Sequence, residues 1–349
     1  MTRILAIETS CDETSAAVVQ DGRQVLSNVV ASQMDLHAKY GGVFPELASR
    51  LHVESIVPVI SETMEKAHVG WADLDAVAVT YGPGLAGSLL VGVNTAKGIA
   101  LGRGLPLVGV NHLEGHVYVH WLQVEGDGMP KEELVFPLLI LIVSGGHSEL
   151  FLMRDHLTYE RLGQTMDDAS GEAFDKVARL LGLGYPGGPV IEKTAAQGNP
   201  AAYRFAKPKL DGEYDFSFSG IKTAVLRQVQ HIATIGPKGE LPPGVPVADL
   251  AASFQASVVD QLCDKAVKAA EATRATAILM GGGVSANKAL RAAMKARAHV
   301  PVYWPPLWLC TDNAAMIGGA AFWRYQAGQR AGWELDVEPG LRLEDEPVR

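Results

Sequence analysis

RILAIETSCDETSAAVVQ, residues 3–20, sets an apolar, β-branched run on either side of a polar turn, and LLILIVSGGHSELFLM, residues 138–153, does so again. In the first stretch, residues 3–9 and 16–20 read as strands joined by the turn 10–14, with residues 24–30 as a third strand. In the second, residues 138–143 and 149–153 are strands joined by Ser144-Gly145-Gly146-His147, and residues 159–162 supply the third. Strand, polar turn, strand, strand and then helices therefore occurs twice. This predicts two similar α/β domains facing each other across a cleft lined by the hairpin turns. A length of 349 residues agrees with two domains at roughly 150 residues each.

Between the two copies, the pattern predicts a helix over 44–67 that Pro58 kinks or divides. A strand at 75–81, a helix at 88–102, a strand at 105–110 and a helix at 112–123 follow. After the second copy come helices at 171–181, 189–197, 220–232 and 247–273, with the Pro/Gly-rich loop 236–246 between the last two. Residues 275–280 read as a strand, 285–297 as a helix with Ser285 as its N-cap, 301–304 as an edge strand and 312–326 as the last helix. The tail beyond Trp333 reads as polar and extended.

Composition narrows the function classes. The chain is 48% hydrophobic and 20% charged, enough apolar material for two cores and too little charge for a disordered chain. Lys and Arg number 30 against 39 Asp and Glu, a net charge of −9 that gives no overall basic field for nucleic acid or an anionic membrane. Cys11, Cys263 and Cys310 are odd in number, far apart and in no CxxC pair, which fits a reducing cytoplasm. The longest apolar run, 135–143, is far short of the roughly 20 residues a bilayer needs, and no signal peptide is seen.

His112-Leu113-Glu114-Gly115-His116 puts two imidazoles at i and i+4 on one helical face, within reach of a single metal. It is not the peptidase motif H-E-x-x-H: Leu113 stands where the general base belongs, and Glu114 points about 200° around the helix from His112. His120, one turn on, reads as a packed histidine. Gly82-Pro83-Gly84-Leu85-Ala86-Gly87 imitates a dinucleotide fingerprint but has no acid about 20 residues on, so it reads as a tight turn. Three glycine-rich turns, 143–147, 185–189 and 281–287, sit at strand ends or helix starts, where backbone amides suit phosphate. Asp12 and Glu13 occupy the first hairpin turn. By spacing alone, Asp312 is either the cap of the last helix or an oxygen ligand joining the two histidines.

The segments IETSCDET (7–14), His112-x-x-x-His116, VSGGH (143–147), GEAFDK (171–176), FSFSGIK (216–222), GGGVSAN (281–287) and TDNAAMI (311–317) are similar in order and spacing to the TsaD family of bacterial tRNA adenosine threonylcarbamoyltransferases, over about residues 3–328. The resemblance implies a two-domain actin-like fold of the sugar kinase, Hsp70 and actin class, with duplicated βββα-type subdomains around a cleft. The first domain would be 1–133 plus about 314–349 with the metal helix, and the second 134–313 with the nucleotide loops. It implies transfer of threonylcarbamoyl from threonylcarbamoyl-AMP to the exocyclic amine of the adenosine just 3′ of the anticodon, in tRNAs reading codons that begin with A. By the same resemblance, His112, His116 and Asp312 are metal ligands, for iron(II) first and zinc(II) second. Ile142, Val143, Ser144, Gly145, Gly146, Asp175, Gly188, Glu192 and Asn287 contact the acyl-adenylate, and Asp12 and Glu13 are the acidic pair needed for activity. Partners would be tRNA, a smaller actin-like paralogue (TsaB-like) and a P-loop ATPase (TsaE-like), in the cytoplasm and with no membrane.

The negative net charge is awkward for a tRNA enzyme, since phosphate contacts supply most of the affinity. Lys193, Arg204, Lys207, Lys209 and Lys222 are the candidates for a local tRNA-facing patch. Two rival readings stand beside the transferase: a metal-dependent glycopeptidase, suggested by the paired histidines, and an ATP-dependent small-molecule kinase or binding module of the same fold.

Overall fold

β1 (Arg3–Glu8) is apolar nearly throughout because it is the central strand of a sheet buried on both faces. It pairs antiparallel with β2 (Glu13–Gln20), which pairs antiparallel with β3 (Gln24–Ser32). The computed structural model describes residues 1–124, 128–207, 210–232 and 241–344. A short α1 (Met34–Ala38), which the sequence pattern does not reveal, precedes α2 (Pro45–Ala67). Pro58 lies inside α2 without dividing it. β4 (Ala76–Gly82), α3 (Ala86–Arg103), β5 (Leu107–Asn111) and α4 (His112–Tyr118) follow. The helix expected to run to residue 123 tightens after Tyr118 into a 3-10 turn, Val119–Trp121.

β4 pairs parallel with β1, and β5 parallel with β4, giving the order β3-β2-β1-β4-β5. The period-2 alternation divides β1 between its two faces. Leu5 and Ile7 join Ile56, Val59 and Ile60 of α2 and Val93, Ala96 and Ala100 of α3 in one core. Ala6 turns to the other face.

The second copy repeats the plan. β6 (Leu138–Val143), wholly buried, pairs antiparallel with β7 (Ser148–Asp155), which is followed by β8 (Thr158–Gln164). After α5 (Ser170–Leu180), α6 (Gly187–Ala195), α7 (Ser219–Ile232) and the long α8 (Val247–Thr273), β9 (Ala277–Gly281) pairs parallel with β6. α9 (Lys288–Arg297) and the edge strand β10 (Val302–Tyr303) complete the order β10-β9-β6-β7-β8. α9 does not start at Ser285. That residue lies in the 3-10 turn Gly283–Ala286, and the cap is Asn287, whose side chain accepts from Leu290 N. Of the expected loop 236–246, residues 236–240 lie outside those described.

α10 (Leu307–Cys310) and α11 (Ala314–Gln326) follow. The chain forms two units, residues 1–133, 155–159 and 305–349 in the first, and 134–154 and 160–304 in the second. Re-entry into the first unit thus comes at Pro305, ahead of the boundary expected near residue 314, so Asp312 shares a unit with the paired histidines. The tail is not merely extended and polar: Leu335, Leu341 and Leu343 are buried, the first two in the core of the first unit. Among the described residues no helix is long and apolar enough to cross a membrane.

α11 and α4 are joined by a buried ion pair, Arg324 Nε to Glu114 Oε2, and Tyr159 OH donates to Glu114 Oε1 at 3.1 Å. Both charged side chains are nearly or wholly out of water, so removal of one strands the other. Glu114→Ala is expected to cost about 3–5 kcal/mol in urea unfolding. Replacing both partners with apolar residues of similar volume, Glu114→Leu with Arg324→Met, is expected to recover most of that loss.

Candidate functional site

α4 starts directly where β5 ends, with the Asn111 side chain accepting from Leu113 N as the cap. That start sets His112 and His116 one turn apart on the same face. α11 is capped by Asn313, whose Oδ1 accepts from Met316 N at 3.1 Å. The cap role left open for Asp312 is therefore taken by its neighbour. Asp312 Oδ1 instead lies 3.4 Å from His112 Nε2 and 3.5 Å from His116 Nε2. The three ligand atoms lie within 4.8 Å of one another, and the imidazoles meet edge to face at 85°.

The donor set fits a divalent transition metal, two imidazole nitrogens and one carboxylate oxygen. His116 strengthens the fit: it is buried, and among the described residues neither ring nitrogen has a hydrogen-bond partner. Burial works against a charged His112, but Asp312 and Glu8 outweigh it and push the imidazole up to about 9. His116 is held below its ordinary value by burial, which the help from Asp312 does not overcome.

Residues that the sequence did not single out surround this group. Glu8, fully buried at the end of β1, accepts from Ser10 N and from Thr80 Oγ1, each at 2.5 Å, and its Oε2 lies 3.2 Å from His112 Nδ1. Ser10 Oγ lies 3.1 Å from the same nitrogen. His52 of α2 pins the first hairpin turn, with Nδ1 2.8 Å from Thr14 Oγ1 and Nε2 3.0 Å from Cys11 O. On that turn, Glu13 accepts from Ser32 Oγ at 2.7 Å. Burial first, then the charges of Asp12 and Asp312, push Glu13 up to about 9.

Glu114 is absorbed by Arg324 and Tyr159, away from the histidines, and the peptidase reading has no general base there. His120 is buried with Nδ1 3.0 Å from Val117 O, as a packed histidine. The Gly82–Gly87 segment is a tight turn as expected: Leu85 N donates to Ser10 O at 2.8 Å, and a Cβ on Gly84 would sit 2.6 Å from that oxygen.

In the second unit, the other expected residues meet in a ring of four loops. Gly171 N donates to Ser144 O at 3.1 Å, joining the turn after β6 to α5. Asp175 Oδ1 accepts from Gly187 N at 2.7 Å, joining α5 to the start of α6. Glu192 Oε1 accepts from Lys288 N at 2.8 Å, joining α6 to α9 beside Asn287. Gly282 closes the ring: at φ +86 its bare Cα passes Val143, where a Cβ would stand 2.4 Å from the Val143 carbonyl oxygen. A Cβ added at Gly145, Gly146, Gly188 or Gly283 would meet open space. Ile142 and Val143 lie within the buried strand, and Asn287 Nδ2 donates to Gln255 Oε1 at 2.8 Å. The ring therefore offers exposed backbone and a half-buried carboxyl, Asp175, raised by burial against the pull of Gly187 N.

The FSFSGIK segment wraps a different anion, the carboxylate of Asp167. Ser217 Oγ and Ser219 Oγ each donate to it at 2.6 Å, Phe218 N at 2.8 Å and Ser219 N at 3.2 Å. The basic patch is smaller than expected. Lys207 pairs with Asp260 and Asp264, and Lys222 with Asp168. Lys209 lies outside the described residues. Arg204 lines an open cavity of about 520 Å³ with Arg227, and Lys193 is exposed.

Two five-stranded sheets of the same repeated order define an actin-like ATPase fold, and solved structures share it. HypF from T. kodakarensis matches with a TM-score of 0.63 at 13% identity, over 94% of this chain and 48% of that one. Component A of the (R)-2-hydroxyglutaryl-CoA dehydratase of Acidaminococcus fermentans matches with a TM-score of 0.53 at 15% identity, over 94% and 99%. These likenesses are of fold alone.

The profile of the family TsaD, tRNA N6-adenosine threonylcarbamoyltransferase, matches residues 24–319. The tRNA N6-adenosine threonylcarbamoyltransferase of Thermomicrobium roseum is 56% identical over 97% of this chain and 96% of its own length. The chain belongs to this family, and it is an enzyme that transfers a threonylcarbamoyl group to N6 of adenosine in tRNA.

Asp167 ties the stability of the second unit to pH. Burial opposes its charge, but the hydroxyls of Ser217 and Ser219 and the amides of Phe218 and Ser219 win, and the carboxyl is held below its ordinary 3.8. A depressed folded value means stability that is present above the unfolded value and is lost as pH falls through the folded one. Asp167→Asn is therefore expected to lower the urea midpoint of the full chain at pH 7, with the difference from wild type shrinking steadily below about pH 4.

Proposed function

We propose that the donor is threonylcarbamoyl-AMP and that the acceptor is the adenosine just 3′ of the anticodon in tRNAs reading codons that begin with A. In this reading, His112, His116 and Asp312 hold one divalent metal, iron(II) first and zinc(II) second, since two imidazoles and a carboxylate suit either. The observation that carries it is the triad itself, with Asp312 Oδ1 within 3.5 Å of both Nε2 atoms and His116 otherwise unbonded. Bound there, the metal supplies a Lewis acid for the carbonyl or for the threonine carboxylate and hydroxyl.

The remaining work falls to the chain. The adenylate lies on the ring formed by Ile142, Val143, Ser144, Gly145, Gly146, Asp175, Gly188, Glu192 and Asn287. Support for this comes from the open space at Gly145, Gly146 and Gly188, where nucleotide can approach the backbone. The amine nitrogen bonds to the carbamoyl carbon, the bond from that carbon to the phosphate oxygen breaks, and AMP leaves with the electron pair. Asp12 or Glu13 helps to orient or to deprotonate the attacking amine; with its carboxyl raised to about 9, Glu13 suits the orienting role.

The chain works in the cytoplasm, where its tRNA is, with a smaller actin-like paralogue and a P-loop ATPase. A net charge of −9 supports a need for partners in holding tRNA.

Purified chain, supplied with these partners, unmodified tRNA and labelled threonylcarbamoyl-AMP, is expected to label the tRNA. Replacing His112 and His116 together by Ala is expected to reduce labelling at least ~100-fold, the loss of a few kcal/mol of charge stabilisation. Asn287→Ala is expected to raise the KM for the donor with a smaller effect on kcat. Full activity of the histidine double variant would overturn the metal assignment.

A further inference from the structure

The two histidines of the triad are not equivalent. His116 has no hydrogen bond at its second nitrogen, whereas His112 Nδ1 faces Glu8 Oε2 at 3.2 Å and Ser10 Oγ at 3.1 Å. His112 is thereby held between two carboxylates, Glu8 at Nδ1 and Asp312 at Nε2. Only Asp312 belongs to the triad. Glu8 lies behind the ring, fully buried at the end of the central strand.

Glu8 is itself fixed. Ser10 N donates to Oε1 and Thr80 Oγ1 donates to Oε2, so the carboxylate is oriented from its own turn and from β4 before the histidine meets it. With Ser10 N already donating to one oxygen and Thr80 Oγ1 to the other, the carboxylate acts as acceptor, and Oε2 faces His112 Nδ1 at 3.2 Å.

We propose that Glu8 is the positioning residue of the metal centre: by accepting from His112 Nδ1–H it fixes the tautomer that turns the Nε2 lone pair toward His116 and Asp312. This rests on the metal reading above. A carboxylate behind an imidazole ligand orients the ring and raises its basicity, and losing such a partner typically weakens metal binding about 10–100-fold.

Glu8→Gln is the informative change, because Gln has nearly the same shape. Its amide oxygen can keep the bond from Ser10 N. Its NH₂ then faces Thr80 and His112 as a donor. The Thr80 hydroxyl can rotate to accept. His112 can accept only by moving its proton to Nε2, which blocks the ligand position. The variant satisfies its own hydrogen bonds while disfavouring the ligating tautomer, which then has only Ser10 Oγ to accept from Nδ1–H, so metal binding is weakened with little loss of fold.

The test uses the full chain, stripped with chelator and titrated with cobalt(II) and with zinc(II) in competition with an indicator. Wild type is expected to bind one ion and His112→Ala to lose it. Glu8→Gln is expected to bind about 10–100-fold more weakly, with a thermal midpoint of the stripped protein close to wild type. At saturating cobalt, the exchangeable, paramagnetically shifted Nδ1–H proton of His112 is expected in wild type and displaced or lost in Glu8→Gln, with the signals of His116 in place. A merely structural role would move the midpoint and leave that proton where it is. If Glu8→Gln does not fold, Glu8→Asp, which draws the acceptor back by one methylene, is expected to weaken binding in the same direction. Wild-type affinity in the variant that folds, or weaker binding with an unmoved His112 proton, overturns the role of Glu8 and leaves the metal centre standing. Failure of wild type to bind either ion overturns both.

Discussion

The first unit is organised by how closely α11 lies on its sheet. A Cβ on Gly318 would stand 2.5 Å from Val19 Cγ2 and 3.4 Å from Ala6 Cβ, so no larger residue lets the helix lie at this depth. α4 approaches the same helix as tightly, since a Cβ on Gly115 would stand 2.7 Å from Ile317 Cδ1. The start of α11 is also tied to the outer strands, with Ala314 N donating to Ser15 Oγ and Ala315 N to Asn28 Oδ1. Asp312 is two residues before that anchored start, and His112 and His116 lie on the helix packed against it. The triad therefore depends on small residues at two helix contacts far from each other in sequence.

Two buried glutamates, Glu114 on α4 and Glu8 at the end of β1, show how partner choice separates structure from chemistry. Glu114 meets Arg324, which is always charged, and the pair is closed: its remaining oxygen is used by Tyr159. Glu8 meets an imidazole whose other nitrogen is turned toward a second carboxylate. The first arrangement can only hold α4 to α11. The second leaves a lone pair that can be offered to a ligand. Position in the fold, not residue type, assigned these roles, and for Glu114 its displacement in His112-Leu113-Glu114-Gly115-His116 already argued against a peptidase.

Much of this was readable from local pattern. Buried central strands show as continuous apolar runs, and the amphipathic α8 falls at the expected 247–273, because both signals come from neighbouring residues. Helix starts were read less well. Ser285 and Asp312 are good cap residues by type, yet Asn287 and Asn313 make the bonds, since the chain direction before each helix decides which side chain can reach back. Glu8 could not be read at all. Its partners Thr80 and His112 are 72 and 104 residues away, and a glutamate ending an apolar strand looks like a surface residue. The pairing of Lys207 and Lys222 could not be read for the same reason, because their acidic partners are distant in sequence.

Duplication explains why both sets of candidate residues appear where they do. In each unit the central strand is antiparallel to one neighbour and parallel to the other, and the parallel strands point the same way. Ligand groups in open α/β sheets gather beyond the carboxyl ends of parallel strands, where helix starts present unpaired amides. In the first unit, β1 runs into the acidic turn with Asp12 and Glu13, and β5 runs into His112. In the second, β6 runs into Ser144-Gly145-Gly146 and β9 into Gly282-Gly283. The same ends of the same sheet carry acids and histidines in one copy and bare glycine backbone in the other. Because these residues lie past the strands, exchanging them leaves undisturbed the ladders that hold the sheet, and one scaffold can thereby carry two unlike sets of loops.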